Sequence, residues 1–253
     1  VLGLLSLVGP FAIDMYLPAM PEIVADLGVD ETAIQATITA YFIGFGLAQM
    51  VYGPWADQAG RKLPIYVGLM VFLAGSVGAA LSGTAMELTA WRFLQGLGGA
   101  ALMVLPRAII RDLHTGAAAT KLMALIMLVI SISPMLAPLA GSFVVPVFGW
   151  RAIFFILCGG ALLSLLVTGT MLPETLAKSD MVPFNLRALF SRMRTLIFDR
   201  QFLALTFVGA FGMASFFVFI ASAAFVYRDQ YGLGPTEFAI AFAVNAVGFF
   251  GAC

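Results

Sequence analysis

The 253-residue chain is 62% hydrophobic and 10% charged, with mean hydropathy +1.03 and no net charge. Water-soluble domains carry about 25% charged residues, so a soluble globular protein is excluded. A balanced charge gives no footing for a nucleic-acid partner. Cys158 and Cys253 both fall in apolar runs, where they pack as small apolar groups and form neither a disulfide framework nor a metal site.

Apolar runs of roughly 20 residues, enough to cross a bilayer, recur along the chain. The predicted spans are Val1–Ile23, Ala33–Tyr52, Pro64–Ser82, Met86–Ile110, Leu122–Val147, Ala152–Leu172 and Phe202–Tyr227, with an eighth from Phe238. Every backbone group must be satisfied inside lipid, and the period-2 alternation of barrel strands is absent, so these are helices. The chain starts and stops inside apolar runs and reads as part of a longer protein. Its first run lacks a cleavage site and contains Pro10, Asp14 and Pro18, which argues against a signal peptide.

Segment one places Pro10, Asp14 and Pro18 on one helical face, and Asp14 is an acid deep in an apolar run. Segment two carries Tyr41, Phe45, Gln49 and Tyr52 at helical spacing, a stripe suited to helix packing or to lining a cavity. The turn GPWADQAGRKLP reverses the chain, using Gly53, Pro54 and Gly60. Asp57 in it either caps a helix or neutralises Arg61. In segment three Ala74, Gly78 and Ser82 form a small-residue seam.

Segment four holds Arg92, a cation that costs about 2.5–3.5 kcal/mol to insert and must face the bundle interior with a partner. Gln95, Gly96 and Gly99 share its face. Segment five has Pro134 and Pro138 on one face beside Ala137 and Gly141, a bend or hinge with small residues around it. His114 reads as a solvated loop residue. After segment six, Leu186, Leu189, Phe190, Met193 and Ile197 oppose Arg187, Arg192 and Arg194, with Asn185 as N-cap. This is an amphipathic helix on the membrane surface. The Phe-rich seventh segment faces lipid.

One set of loops holds Arg61, Lys62, Arg107, Arg111, Lys121, Lys178, Arg187, Arg192, Arg194 and Arg200; the other holds only Arg151 and Arg228. Ten cations against two put the first set, and the N-terminus, in the cytoplasm. An enzyme would need a nucleophile or metal cluster. Ser131 and Ser133 have no base beside them in the sequence, and no cofactor, metal or catalytic residue is expected. A channel would need rings of polar pore-lining groups, which are missing.

Several of these stretches resemble the major facilitator superfamily. GPWADQAGRK matches its signature loop between helices two and three, carrying Gly53, Asp57, Gly60, Arg61 and Lys62. LTAWRFLQGLGGAA is similar to its helix-four pattern, with Arg92, Gln95 and Gly96. APLAG is similar to the helix-five antiporter motif through Pro134, Ala137, Pro138 and Gly141, although Ala137 stands where the motif has glycine. AIDMYLPAMPEIVADL, LPRAIIRD and SPMLAPLAGSFVVPVFGWRAIFFIL look like the bicyclomycin/chloramphenicol-resistance group of drug:proton antiporters.

The resemblance implies an all-α membrane protein with a six-helix N-terminal bundle over residues 1–172. A cytoplasmic linker at 173–201 and the truncated start of a C-terminal bundle at 202–253 would follow. It implies a monomeric multidrug exporter in the bacterial inner membrane, exchanging small drugs for protons. Asp14, Arg92 and Gln95 would couple proton to substrate, and Tyr41, Phe45, Gln49 and Met103 would line the cavity. The signature loop would act as a conformational latch. A proton-coupled symporter for a small polar metabolite shares the fold and is the alternative; the proline-rich fifth segment and the lack of polar sugar-type ligands weigh against it.

Overall fold

The computed structural model describes residues 1–182 and 194–251, and the elements there are helices joined by short turns. They are α1 (Leu2–Asp14), α2 (Met20–Leu27), α3 (Glu31–Ala59), α4 (Lys62–Leu81), α5 (Ala85–Leu113), α6 (Gly116–Phe148), α7 (Arg151–Met171), α8 (Arg200–Asp229) and α9 (Pro235–Gly251). Counting α1 and α2 together, six helices up to α7 are long and apolar enough to cross a membrane. The amphipathic segment expected from Asn185 to Met193 lies outside the described residues, as does Cys253.

The first predicted span is not one helix. It stops at Asp14, passes through a 3-10 turn at Leu17–Ala19 and resumes at Met20. Pro18 has no N–H to offer the Asp14 carbonyl four residues back, and its ring crowds that carbonyl. The backbone tightens instead, with the Tyr16 N–H donating to the Ile13 carbonyl at 3.2 Å. Asp14 therefore sits at the end of a helix, beside a break. In contrast α3 continues through Gly53 and Pro54, which were expected to form the turn, and the reversal takes only Gly60 and Arg61.

The long helix α5 is the centre of the bundle, packed against α3 and α4. Its glycines set the approach: a Cβ on Gly96 would strike the Tyr41 carbonyl, and one on Gly98 would strike the Phe72 backbone. On α4 the close positions are Gly68, Gly75 and Gly78, whereas Ala74 is exposed. The seam keeps Gly78 of the expected Ala74–Gly78–Ser82 row, and Ser82 is buried, but it runs through Gly68 and Gly75 and leaves Ala74 exposed.

Two turns at opposite faces of this bundle are built alike. Gly60 (φ 82°, ψ 174°) ends α3 and Gly149 (φ 74°, ψ 167°) ends α6. Each is followed by a residue in helical conformation, Arg61 or Trp150, whose N–H donates to a carboxylate: Glu174 at 2.8 Å and Glu22 at 3.2 Å. A guanidinium then binds an aspartate near a helix end, Arg61 to Asp112 on α5 and Arg151 to Asp26 on α2. This is the correspondence expected of two three-helix repeats of inverted topology, α1–α4 and α5–α7. Both glycines occupy backbone space that is essentially closed to other residues, at about 1–3 kcal/mol. Gly149→Ala should lower the thermal stability of the detergent-solubilised protein by that amount. Gly60→Ala should cost more, because its Cβ would also lie 2.6 Å from the Glu174 carboxylate, against 3.6 Å from Glu22 at Gly149.

Candidate functional site

The face of α5 that carries Arg92, Gln95, Gly96 and Gly99 points into the bundle, and Arg92 is 0% exposed. Its Nη1 donates to the Ala12 carbonyl at 3.0 Å and to Gln95 Oε1 at 2.6 Å. Gln95 Nε2 donates onward to Ser76 Oγ at 2.7 Å, and Ser76 to the Phe72 carbonyl at 2.8 Å. The relay fixes the orientation of the Gln95 amide, since its oxygen must face the cation. The guanidinium lies between two aromatic faces, with Cζ 4.6 Å from both the Tyr16 and Tyr41 ring centroids. Among the described residues, its Nε and Nη2 have no hydrogen-bond acceptor.

Asp14 is 4% exposed and accepts a hydrogen bond from Ser133 on α6 at 2.9 Å. Ser133 therefore does have a carboxylate beside it; the chain brings them together from 119 residues apart, which no local pattern reveals. Asp14 and Arg92 face the same interior but are not paired. Arg92 instead holds the backbone of α1 two residues before Asp14. Tyr41 lies within electrostatic reach of both charges, and its hydroxyl donates to the Gly9 carbonyl at 3.3 Å.

Of the other expected cavity residues, Phe45 is half-buried and stacks on Tyr41 at 6.1 Å between centroids. Met103 is half-buried and Gln49 is exposed. On α6, Pro134, Ala137, Pro138 and Gly141 are all buried. A Cβ at Gly141 would lie 2.5 Å from the Met15 carbonyl and 2.8 Å from Pro18, so this motif packs on the break after α1.

At the signature turn, Arg61 is buried and binds Asp112 through Nε (2.7 Å) and Nη2 (3.0 Å). Its Nη1 binds Asp57 at 2.6 Å, which settles the role of that acid: it neutralises Arg61 while its own side chain stays 57% exposed. Lys62 is half-buried, its N–H donating to Glu174 at 3.1 Å. Gly53 has open space where a Cβ would stand. Asp112 and Glu174, and on the opposite face Glu22, Asp26, Trp150 and Arg151, were not singled out from sequence. The shared Gly-x-Arg/Lys wording of GRK and GWR was the available signal.

The sequence model of the Major Facilitator Superfamily matches residues 2–253. The uncharacterized MFS-type transporter YdgK of Bacillus subtilis (strain 168) is 35% identical over 248 residues, covering 97% of this chain and 62% of that protein. A bicyclomycin resistance protein homolog of Haemophilus influenzae (strain ATCC 51907 / DSM 11121 / KW20 / Rd) is 33% identical over 246 residues, with the same two coverages of 97% and 62%. The chain thus spans about three-fifths of the length of these relatives. The crystal structure of a D-xylose-proton symporter shares the fold, with TM-score 0.71 at 18% identity over 97% of this chain and 64% of the other.

Glu174 makes the signature clamp depend on pH. Partial burial pushes its carboxyl up, but backbone N–H donors from Arg61, Lys62, Leu176 and Thr175 outweigh this and hold it below its ordinary 4.5. The two hydrogen-bonded aspartates, Asp112 foremost, hold the Arg61 guanidinium above its usual value against burial. A carboxyl depressed in the folded state contributes stability above its unfolded pKa and loses it as pH falls through the folded one. The wild-type protein should therefore lose thermal stability below about pH 4.5 more steeply than Glu174→Gln, as read by melting curves across that range.

Proposed function

The chain belongs to the major facilitator superfamily, and on that premise we propose that the full-length protein is a drug:proton antiporter. It exports small drugs from the bacterial cytoplasm by alternating access. The observation that carries this reading is the pair of buried ionisable groups, Asp14 and Arg92, lodged unpaired in helices that cross the membrane. Each is expensive in lipid, and a merely structural bundle gains nothing by keeping them. The similarity to a bicyclomycin resistance protein homolog supports a drug as the substrate.

In this reading Asp14 carries the exchanged proton. Among the described residues its hydrogen-bond partner is the neutral Ser133 hydroxyl, so taking up a proton breaks no salt bridge there. Arg92, steadied by Gln95, supplies the field that shifts as the bundle rearranges. Proton entry down the membrane potential contributes about 2.3 kcal/mol per charge per 100 mV. Phe45, Gln49 and Met103 line the drug cavity over Tyr41, giving broad apolar contact with few fixed polar bonds.

The Pro134–Gly141 segment acts as the hinge or seal against the α1 break. Gly53, Asp57, Gly60, Arg61 and Lys62 form the latch at the cytoplasmic face, against the second bundle. The ten-to-two cation bias supports a cytoplasmic location for that face and for the N-terminus, in a transporter of the inner membrane that works as a monomer.

In proteoliposomes holding the full-length protein, Asp14→Asn should abolish drug-driven proton release, and Arg92→Ala should fail as well. Wild-type rates in the first variant would overturn the antiport reading; in the second they would reduce Arg92 to a strut.

A further inference from the structure

A cavity of about 320 Å³ opens at the face of the Gly149 turn, where the first six-helix unit meets α8 and α9. The first unit contributes Pro18 from the break after α1, Glu22 from the start of α2 and Val145 from the last turn of α6. Arg228 near the end of α8, Gly234 in the turn that follows and Phe238 at the start of α9 close the other side. Pro18, Val145 and Phe238 are buried and make an apolar floor, whereas Ala25 and Arg228 at the rim are exposed.

The two charges that line this cavity lack close partners of opposite sign. Glu22 spends one carboxylate oxygen on the Trp150 N–H at 3.2 Å, and the guanidinium of that turn, Arg151, is bonded to Asp26 at 2.8 Å. Among the described residues no cation stands within ion-pair distance of Glu22. The ion pair that Arg228 makes there is with its chain neighbour Asp229, at 4.0 Å, and Glu31 lies within reach of its field. Glu22 and Arg228 therefore line one cavity without pairing across it. An acid and a base held apart over an apolar floor are complementary to a molecule that carries both opposite charges on an apolar body. The volume is at the lower end of small-molecule sites, about 300–1,000 Å³, which favour seams between units and few polar groups in an apolar wall.

We propose that this seam cavity is a binding site for a small zwitterion with an apolar body, its ammonium on Glu22 and its carboxylate on Arg228. A guanidinium takes a carboxylate through two parallel N–H donors, and the free oxygen of Glu22 accepts from the ammonium. Because the walls come from both units, the bound molecule holds α2 and α6 against α8 and α9, and it selects the arrangement in which these ends are closed. The site uses neither Asp14 nor Arg92 and is independent of the antiport reading.

The test titrates para-aminomethylbenzoate, a one-ring zwitterion, into the full-length protein in lipid nanodiscs and reads binding by calorimetry. Benzylamine and para-methylbenzoate, which each carry one of its charges, are titrated alongside. The wild type should bind the zwitterion more tightly than either analogue. Glu22→Gln keeps an acceptor for the Trp150 N–H and should weaken the zwitterion and benzylamine about tenfold while sparing para-methylbenzoate. Arg228→Gln should weaken the zwitterion and para-methylbenzoate and spare benzylamine. Ala25→Trp fills the mouth from an exposed position and should abolish binding of all three. Bound zwitterion should also slow hydrogen exchange in the 230–234 turn, a readout that needs no transport. Absence of binding to the folded wild type at millimolar probe overturns the site. So does binding that survives all three variants, and so does binding lost in Asp14→Asn, which would put the probe in the central interior.

Discussion

A guanidinium buried among membrane-spanning helices must be given acceptors by the protein, because lipid offers none. Arg92 obtains them from three directions. A carbonyl on α1, an amide one turn along its own helix and two tyrosine faces supply what water would. Each of these demands something further of the fold. The carbonyl requires α1 to come within hydrogen-bond distance of α5. The amide requires Ser76 on α4 as its next acceptor. The tyrosine on α3 requires that α3 and α5 nearly touch, which Gly96 permits. Much of the packing order of the bundle follows from accommodating one cation.

The acid of the site is held by a different logic. Pro18 ends α1 by depriving the Asp14 carbonyl of a partner, and the buried turn that follows packs against Gly141 and the Ser133 hydroxyl of α6. Pro18, expected to share one helical face with Asp14, is what places Asp14 at a helix end. Acid and base therefore belong to separate hydrogen-bond systems linked through the backbone of α1 and through Tyr41. This separation keeps either group free to change partners without a salt bridge to break.

At the two faces of the bundle the same turn appears twice. Gly60-Arg61 and Gly149-Trp150-Arg151 share backbone geometry, a carboxylate on the first helical N–H, and a guanidinium–aspartate bond to a helix of the other repeat. Such bonds tie three helix ends together on each face. The first turn lies in the signature loop and the second in the family-like stretch SPMLAPLAGSFVVPVFGWRAIFFIL, where the tryptophan indole also donates to Asp26 at 3.0 Å.

The sequence by itself determined the number, order and approximate length of the spanning helices, because hydrocarbon admits only segments with internally satisfied backbones. It also determined that Arg92 and Asp14 face inward and that Gln95 shares the face of Arg92, since helical periodicity and the cost of a charge in lipid are local. It misjudged the break after Asp14, the extension of α3 past Pro54 and the place of Ala74 in the α4 seam, where proline placement and facing-helix register compete with periodicity. Only the tertiary structure decided who meets whom: Ser133 with Asp14, Asp112 and Glu174 with Arg61, Tyr16 with Arg92. Those partners stand tens to more than a hundred residues apart, and their meeting is fixed by how closely helices can approach, a property of packed volumes that no single helix encodes.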